Sequence, residues 1–348
     1  MSKLKNASHK TKKWGIVLIV EIILILVLVP IIIIYAKLSS IQRASTEVNK
    51  DEIMVNDIAD STKTVLSGYD NIVLYGVDTR DGDLKKDARS DSIIIMSINH
   101  DKKQIKLLSI YRDTCMKIPG YGLTKVNHAY AYGGAQLSMS TLNTNLDLTI
   151  TQFATVDFGI LADIVDAVGG VEIDVTDAEF ALINPLIDEQ NKVTGSKSAH
   201  LKSAGTQVLN GTQATAYARI RKSDSDFKRA ERQRTVIAKV FAKIKTSNVT
   251  TLVSVINKVL PEIYTNLSTT DIIALAKDIS SYSITDSKGF PFEVITGHLT
   301  TDSLDYDFAD GFNTNVTELH QYLFDNQSYS PSSTVQTIGD EIYAARAK

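Results

Sequence analysis

Cysteine is almost absent from this chain of 348 residues, in which Cys115 is the only one. No disulfide can therefore form within the chain, and a zinc site built from several cysteines is excluded. The six histidines show no metal-ligand spacing. Basic charge is not in excess either: the formal net charge of −3 gives no support for bulk nucleic-acid binding, so we predict no nucleic-acid partner. The length allows one large domain or two small ones with a substantial core.

One long apolar run lies near the N-terminus, over residues 14–35. A helix of this length rises roughly 30 Å, which spans the core of a bilayer. Lysines precede the run, so the positive-inside rule places residues 1–13 in the cytoplasm as a basic tail and the rest of the chain outside the cell. A cleaved signal peptide is the alternative, but the run is long and no small-residue cleavage site follows promptly. We therefore predict a single-pass protein of the plasma membrane with an extracellular domain.

The chain beyond this run divides into a stalk, a folded domain and a tail. We predict a stalk over residues 36–67, which are polar with weak helical periodicity, and a folded domain over residues 68–325. Residues 326–348 are polar, and we expect them to form a loose tail. Residues 71–77, 92–98 and 104–110 have the pattern of strands, and residues 226–245 carry one apolar helix face. Strands and helices mix without strict βαβ alternation. This favours an α/β fold in three α-β-α layers around a mixed, largely antiparallel sheet.

Carboxylates and arginines come together at three separated places in the predicted domain. The first place holds Asp78, Arg89 and Asp91, with Asp78 at the end of one predicted strand and Asp91 at the start of the next. The loop between them can fold back and bring both carboxylates to one edge of the sheet. Two carboxylates, diphosphate oxygens and waters would satisfy octahedral magnesium. A solvated loop held by ion pairs is the alternative for this stretch alone.

The second place is the end of the third predicted strand, where Arg112 and Asp113 follow directly. Site residues of an open sheet often lie just beyond a strand end, so we expect Arg112 at the same edge as Asp78 and Asp91. Lys125 follows in a polar loop that leads to the next helix. A salt bridge that caps the strand is the alternative.

The third place joins two predicted helices. Its charged and amide side chains are Arg219, Arg221, Asp226, Arg229, Arg232 and Gln233. Cations in the first turns of a helix oppose the helix dipole, so arginines placed there indicate a bound anion, which a helix N-terminus also attracts. Spacings of three and four residues put Arg229, Arg232 and Gln233 on one side of the helix. An amphipathic surface helix is the alternative.

Taken in order, these motifs resemble the LytR–CpsA–Psr family of cell-envelope glycopolymer ligases. The resemblance extends over residues 67–245, and its strength lies in the ordered set, since any one motif is weak. The single N-terminal span is also similar to the family's. The motifs are Gly76-Val77-Asp78-Thr79-Arg80, Arg89-Ser90-Asp91, Ser109-Ile110-Tyr111-Arg112-Asp113, Lys125-Val126-Asn127-His128-Ala129-Tyr130, Val165-Asp166-Ala167-Val168-Gly169-Gly170-Val171, Leu209-Asn210-Gly211-Thr212-Gln213-Ala214, Arg219-Ile220-Arg221 and Arg229-Ala230-Glu231-Arg232-Gln233.

The resemblance implies a membrane-anchored phosphotransferase. Family members move a glycopolymer phosphate from a polyprenyl diphosphate carrier to a peptidoglycan sugar hydroxyl, use magnesium, and hold the prenyl chain inside the α-β-α domain. By this resemblance Asp78 and Asp91 are expected to hold Mg²⁺ or Mn²⁺. The side chains expected to hold the diphosphate are Arg89, Arg112, Lys125, Arg219, Arg221, Arg229, Arg232 and Gln233. Tyr111 stands where the family usually has proline, which changes backbone rigidity next to Arg112.

Four residues are candidates for the chemistry itself. Arg112 and Arg221 would stabilise charge on the phosphate oxygens, and either Asp113 or Asp226 would take the proton of the attacking hydroxyl. The sequence does not choose between these two carboxylates. The candidates to line a prenyl tunnel, each with core packing as its alternative, are Phe158, Ile160, Leu161, Ile164, Val165, Val240, Phe241 and Ile244.

The expected partners are the membrane, peptidoglycan and a glycopolymer linked to polyprenyl diphosphate, whose polymer is teichoic acid, capsule or another wall glycan. Hydrolysis of prenyl diphosphate is a side activity that the same site would allow. Two other functions remain open. A non-catalytic binder of lipid-linked glycan, or envelope regulator, would need the arginines but not the metal pair. A transcriptional attenuator would need contact with DNA, but no helix-turn-helix signature is present and the predicted topology separates the domain from DNA.

Overall fold

The computed structural model describes residues 42–43, 48–77, 84–85, 89–221, 226–259, 262–277 and 279–347. The predicted cytoplasmic tail, the predicted transmembrane helix and Asp78 lie outside these ranges. Within them, no helix combines the length and the apolar character that crossing a membrane requires.

Strands and helices alternate irregularly along the described chain. The strands are β1 Gln42–Arg43, β2 Tyr69–Val77, β3 Ser90–Asn99, β4 Gln104–Ile110, β5 Cys115–Ile118, β6 Gly122–Lys125, β7 Gln152–Val156, β8 Val171–Val175, β9 Gly205–Leu209, β10 Tyr264–Thr265, β11 Ser283–Phe290, β12 Val294–Gly297 and β13 Tyr306–Ala309. The helices are α1 Asp60–Leu66, α2 His128–Leu146, α3 Phe158–Ala167, α4 Asp177–Thr194, α5 Gly211–Ala218, α6 Asp226–Thr246, α7 Val249–Lys258, α8 Thr269–Lys277, α9 Phe312–Phe324 and α10 Ser333–Ala345.

In the part of the chain that the structure describes, seven strands form the central sheet, in the order β1-β10-β7-β2-β3-β4-β11. The inner pairs β2–β3 and β3–β4 are antiparallel, whereas β7 pairs with β2 and β11 pairs with β4 in parallel. The sheet is therefore mixed, as predicted. It is less antiparallel than expected, because three of the six pairings between its described strands are parallel, namely β1–β10, β7–β2 and β4–β11. Strand β11 is not predicted by the sequence pattern, since its residues are mostly exposed and lack apolar alternation.

Helices cover both faces of this sheet, because successive side chains of a strand point to opposite sides. Ile93 and Ile95 of β3 face the core beneath α2, α9 and α10. Ile94 and Ile98 face the other side, where Phe241 of α6 packs. The sheet is thus the middle of three layers.

A second apolar cluster lies beside the sheet and carries the third arginine group. The antiparallel pair β8–β9 and helices α3 to α6 meet around Val165, Ile183 and Val236. Asn210 begins α5 with a reciprocal capping box, so the start of this helix is well defined. The helix ends at Ala218, directly before the arginines.

The segment expected to be a stalk packs onto the domain over its described parts, residues 42–43, which pair with β10, and residues 48–67. Val48, Ile53 and Ile58 are buried in the main core. The weak helical periodicity of this segment therefore reflects contacts of its apolar residues with the core, and it does not indicate a stalk.

The C-terminal tail is not loose, which corrects the prediction for residues beyond Asn326. Helix α10 buries Val335, Ile338 and Ile342 against the core. These apolar residues recur at helical spacing between polar ones, and the polar composition concealed that single apolar face.

Candidate functional site

Charged side chains meet at the edge of the sheet where β3 begins and β4 ends. Because these strands are antiparallel, Asp91 at the start of β3 lies beside Arg112 just beyond β4. Arg112 Nη1 donates to Asp91 Oδ1 at 2.8 Å. The turn that carries Arg112 is held by main-chain bonds from Tyr111 N to Phe290 O and from Thr114 N to Tyr111 O, both 3.0 Å.

Arg112 occupies the centre of the group, since three carboxylates surround its guanidinium. Besides its bond to Asp91, its Nε lies 3.2 Å from Asp226 Oδ2 and 3.5 Å from Asp113 Oδ2. Burial works against the charged form of Arg112, but Asp226 and Asp91 outweigh it and raise the pKa of Arg112. Arg112 therefore remains a cation.

Two further arginines approach the same carboxylates. Arg221 Nη2 donates to Asp91 Oδ2 at 3.0 Å. Arg229 Nη2 donates to Asp226 Oδ2 at 2.7 Å and to the main-chain oxygen of Asp91 at 3.2 Å. Burial opposes ionisation of Asp91, but Arg112, Arg229 and Arg221 prevail and lower its pKa. Asp91 is consequently an ionised carboxylate that guanidinium groups bind at both oxygens.

Arg229 has hydrogen-bonding capacity left over. Its side chain is only 4% exposed, and burial lowers its pKa to about 10 although Asp226 opposes this. Its Nε and Nη1 are buried without a hydrogen-bond partner among the described residues. Buried donors without partners cost about 1–3 kcal/mol each, so an anion that accepts from Arg229 would stabilise the site.

Lys125 extends the group on the other side. Its Nζ lies 2.9 Å from Asp113 Oδ1, so ion pairs run in series from Lys125 through Asp113, Arg112 and Asp91 to Arg221. We refer to this series and the Arg229–Asp226 pair together as the charged cluster. Its four cations face three carboxylates, which leaves a formal excess of positive charge for an anionic ligand.

An apolar cavity of about 460 Å³ opens at the Arg221 end of the series. Its lining residues are Asp91, Phe158, Ala181, Leu182, Pro185, Leu186, Glu189, Arg219 and Arg221. Apolar walls from α4 therefore meet the charged cluster directly. Among the predicted tunnel residues, Phe158 borders this cavity, whereas Val165 and Val240 belong to the second apolar cluster and pack as core.

Arg219 lies on the wall of this cavity. Its Nη2 is 2.8 Å from Glu189 Oε1, and its Nη1 donates to Gln190 Oε1 at 3.1 Å. The guanidinium carbon lies 5.1 Å from the ring centroid of Phe158, within range of a cation–π contact. Since Arg219 and Arg221 border the same cavity, both are positioned to meet a ligand that enters it.

The structure does not bring Arg232 and Gln233 into the charged cluster. Arg232 Nε donates to Glu179 Oε1 at 2.6 Å, and its Nη1 donates to the main-chain oxygen of Ile220 at 3.2 Å. Burial opposes ionisation of Glu179, but Arg232 prevails and lowers its pKa. Gln233 is also buried. Arg232 therefore supports the turn between Arg219 and Arg221. The prediction for Arg232 was wrong because helical spacing determines the side of α6 on which a residue lies but not the partner that its side chain contacts.

Of the two predicted metal ligands, Asp91 lies within the described residues. Asp78 lies outside the described residues, and Arg89 is exposed directly before β3. Among the residues that the structure describes, no group of three or more His, Cys, Asp or Glu side chains is arranged to hold a metal ion. The chemistry of Asp91 nevertheless suits a hard cation, because a carboxylate has about four lone-pair sites and the arginines occupy only part of them.

Asp307 on β13 is a carboxylate of this region that the sequence analysis missed. Its N–H donates to Asp113 O at 3.0 Å, and it forms an isolated parallel bridge with Thr114. Burial, with Asp113 and Asp226, raises its pKa to about 6. The sequence offers only a weak signal here, an acidic residue within the apolar stretch 306–309, far along the chain from the arginine motifs.

A model of the LytR_cpsA_psr family matches residues 32–314. The chain belongs to this family. The match confirms the resemblance that the ordered motifs indicated, and it extends beyond them to residues that include Asp307.

Two curated relatives illustrate the similarity. The polyisoprenyl-teichoic acid–peptidoglycan teichoic acid transferase TagU of Enterococcus faecalis is 34% identical over 215 residues, which cover 61% of this chain and 66% of that protein. The transferase TagT of Bacillus subtilis, named for the same activity, is 32% identical over 229 residues, 64% of this chain and 69% of that protein. The chain thus matches about two thirds of the length of these relatives.

Solved structures show the same fold. TagT bound to LIIa-WTA superposes with a TM-score of 0.59 at 26% identity, covering 79% of this chain and 95% of that one. Bacillus subtilis TagV gives a TM-score of 0.59 at 27% identity over 76% of this chain and 98% of that one. These similarities confirm a mixed α/β fold around a central mixed sheet.

Proposed function

We propose that this protein transfers a glycopolymer phosphate from a polyprenyl diphosphate carrier to a sugar hydroxyl of peptidoglycan. The observation that carries the proposal is the convergence of Arg112, Arg221 and Arg229, from three stretches of the chain, beside an apolar cavity. Guanidinium groups bind phosphate oxygens in pairs, and an apolar cavity suits a prenyl chain. A single ligand class, a lipid diphosphate, needs both features at once.

Wall teichoic acid is the polymer we propose. The support comes from the relatives, since TagU and TagT are named as teichoic acid transferases and TagT has been solved with LIIa-WTA. Capsule and other wall glycans remain alternatives, because the charged cluster recognises the diphosphate and not the sugars beyond it.

The order of groups in the charged cluster orients the donor. The prenyl chain enters the apolar cavity at the Arg221 end, which places the diphosphate across Arg221 and Arg112. The phosphate that bears the glycan then lies toward Lys125. An in-line displacement puts the attacking oxygen opposite the departing prenyl phosphate, so the acceptor hydroxyl enters from the Lys125 side.

The reaction exchanges one phosphorus–oxygen bond for another. The acceptor oxygen bonds to the phosphorus that carries the glycan, the bond to the bridging oxygen breaks, and prenyl monophosphate leaves with the electron pair. Arg112 and Arg221 stabilise the charge that develops on the phosphate oxygens, and a positioned donor of this kind contributes about 10²–10³ in rate. Arg229 adds the buried donors that have no partner among the described residues.

A divalent cation, Mg²⁺ or Mn²⁺, is part of the proposal. Asp91 together with Asp78 would hold it, and the ion would offset the negative charge of the diphosphate. The support is that each cation of the charged cluster already pairs with a carboxylate, so the formal excess of one positive charge is smaller than the negative charge of a diphosphate.

We further propose that the site faces the outside of the cell and that residues 14–35 anchor it in the plasma membrane. The support is the apolar run with lysines before it and the membrane-bound nature of a prenyl carrier. A reporter enzyme fused to the C-terminus tests the topology; activity only inside the cell would reject it.

Transfer in vitro tests the function. The full chain in detergent is given a prenyl diphosphate-linked teichoic acid and peptidoglycan, and the covalent product is measured. We expect transfer by the unmodified protein and by Arg346→Ala, whose arginine lies at the end of α10 outside the charged cluster, and strong loss in Arg112→Ala and Arg221→Ala. Full activity in both site variants would reject the site. Donor binding without product would identify a non-catalytic binder instead.

A further inference from the structure

A buried carboxylate lies against the charged cluster without belonging to its ion pairs. Asp307 is 8% exposed, and its main-chain N–H donates to Asp113 O at 3.0 Å. Strand β13 thereby runs along the turn that carries Arg112 and Asp113. The preceding residue, Tyr306, places its ring centroid 5.9 Å from Lys125 Nζ, so this stretch of β13 lies at the Lys125 end of the series.

Asp307 differs from the two carboxylates that the sequence offered as proton acceptors. Asp113 is bound by Lys125 at 2.9 Å, and Asp226 is bound by Arg229 at 2.7 Å. Both also lie within 3.5 Å of Arg112 Nε. In the described part of the chain, by contrast, no cationic nitrogen lies within 4.0 Å of the Asp307 carboxylate. The carboxylates of Asp113 and Asp226 are thus already engaged by cations, whereas Asp307 has no ion pair among the described residues and its pKa is raised.

We propose that Asp307 accepts the proton of the acceptor hydroxyl during transfer. This rests on the proposed function. The hydroxyl O–H bond breaks, its proton moves to a carboxylate oxygen of Asp307, and the oxygen forms its bond to the phosphorus as prenyl monophosphate departs. The location agrees with the chemistry, because the Lys125 end is the side from which an in-line acceptor enters.

The electrostatic surroundings support the assignment. The charged groups that act on Asp307 are Asp113 and Arg112 from the turn after β4, Asp226 from α6 and Lys125 from β6, and the phenol of Tyr111 is also within electrostatic range. Burial and the two carboxylates raise the pKa of Asp307 to about 6, while Lys125 and Arg112 act in the opposite direction. A general base works best when its pKa lies near the working pH.

The test is the pH dependence of transfer by the full chain. The unmodified protein should lose activity as the pH falls through about 6, because Asp307 becomes protonated. Asp307→Asn cannot accept a proton, and we expect at least about a 10²-fold loss together with disappearance of that acidic limb. Asp307→Glu should recover part of the rate. The matched control Asp310→Asn, on an exposed carboxylate three residues further on, should behave as the unmodified protein.

Two further readouts separate catalysis from structural support. Binding of prenyl diphosphate should be unchanged in Asp307→Asn. The melting temperature at pH 8 should be equal or higher, because the amide removes a charge that burial disfavours. A loss of melting temperature in proportion to the lost rate would show a structural role and overturn the proposal.

Two kinetic outcomes would also overturn it. One is Asp307→Asn with substantial activity and an intact acidic limb. The other is loss of the limb in Asp113→Asn or Asp226→Asn but not in Asp307→Asn. No transfer by the unmodified protein would refute the proposed function itself, whereas normal transfer by both the unmodified protein and Asp307→Asn refutes only the role of Asp307.

Discussion

Exchange of Arg112 for alanine separates activity from stability, because each carboxylate that Arg112 contacts keeps a second cation. Asp91 keeps Arg221 at 3.0 Å, and Asp226 keeps Arg229 at 2.7 Å. Asp113 likewise keeps its ion pair with Lys125. The variant therefore buries no carboxylate without a partner, and its free energy of unfolding should fall by about 1 kcal/mol or less, as for a partly exposed ion pair.

The effect of this exchange on transfer should be much larger. Arg112 is the cation at the centre of the charged cluster, and a donor aimed at developing charge contributes about 2.7–4 kcal/mol to the transition state. We therefore expect kcat/KM for transfer to fall by about 10²–10³ at unchanged secondary structure. Arg112→Lys should recover only part of the rate, because an ammonium cannot bridge several oxygens as a guanidinium does.

Arg232→Ala is the matched comparison, since both arginines were predicted to hold the diphosphate. Removal of Arg232 leaves Glu179, whose side chain is 11% exposed, without its ion-pair partner. We expect the free energy of unfolding to fall by about 3–5 kcal/mol. Donor affinity per folded molecule should change little. Urea unfolding and donor binding at a temperature where both variants are folded measure the two effects.

The opposite pattern would refute this reasoning. If Arg232→Ala abolished donor binding at normal stability, Arg232 would be a ligand-binding residue and its ion pair with Glu179 would not support the fold. If Arg112→Ala retained normal transfer, the charged cluster would not be the site.

Four further predictions follow from the fold and the site. Asp147→Ala should lower the free energy of unfolding by about 3–5 kcal/mol in urea titration, because the fully buried Asp147 carboxylate accepts hydrogen bonds that connect α10 and residues 48–59 to α2. A smaller loss than in the exposed control Asp340→Ala would contradict this. Tyr111→Pro should cost about 1–3 kcal/mol in thermal unfolding, since it removes the N–H that donates to Phe290 O; an unchanged midpoint would argue against that bond. The free energy of unfolding should decrease as the pH falls below about 4.5, because the pKa of Glu179 is lowered in the folded protein and Glu179 stabilises the fold only while it is ionised. Glu179→Gln should flatten this part of the pH profile, and an equally steep profile would exclude Glu179 as its source. Chelation by EDTA should reduce transfer by at least about 10²-fold and added Mg²⁺ should restore it, with little change in melting temperature; transfer that is insensitive to EDTA would reject the metal.

Local sequence pattern predicted many elements near the site. Residues 104–110 form a strand with the predicted bounds, and residues 226–245 lie within helix α6, which ends one residue later. These predictions succeeded because strand alternation and helical periodicity depend on neighbours within a few residues. Strand β11 was not predicted, because it is an edge strand that pairs with β4 through main-chain hydrogen bonds, and its side chains show no strand pattern.

Some residues of the site were predicted from the sequence, and others were misplaced. Residue type and spacing identified seven side chains that the structure brings together, namely Asp91, Arg112, Asp113, Lys125, Arg221, Asp226 and Arg229. Arg232 has the same local pattern as Arg229 but pairs with Glu179. The tertiary structure determines this partner, because α4, which carries Glu179, and α6 share the second apolar cluster.

By itself the amino-acid order determined the family, the chemistry of the charged motifs and most of the element types, since these depend on residue identity and short spacing. Tertiary structure alone decided which arginines share a carboxylate, that α4 supplies the apolar wall, and that Asp307 reaches the charged cluster from far along the chain. The physical reason is that ion pairing, burial and pKa depend on distances of a few ångströms between side chains, and these distances exist only after the sheet and its flanking helices have packed.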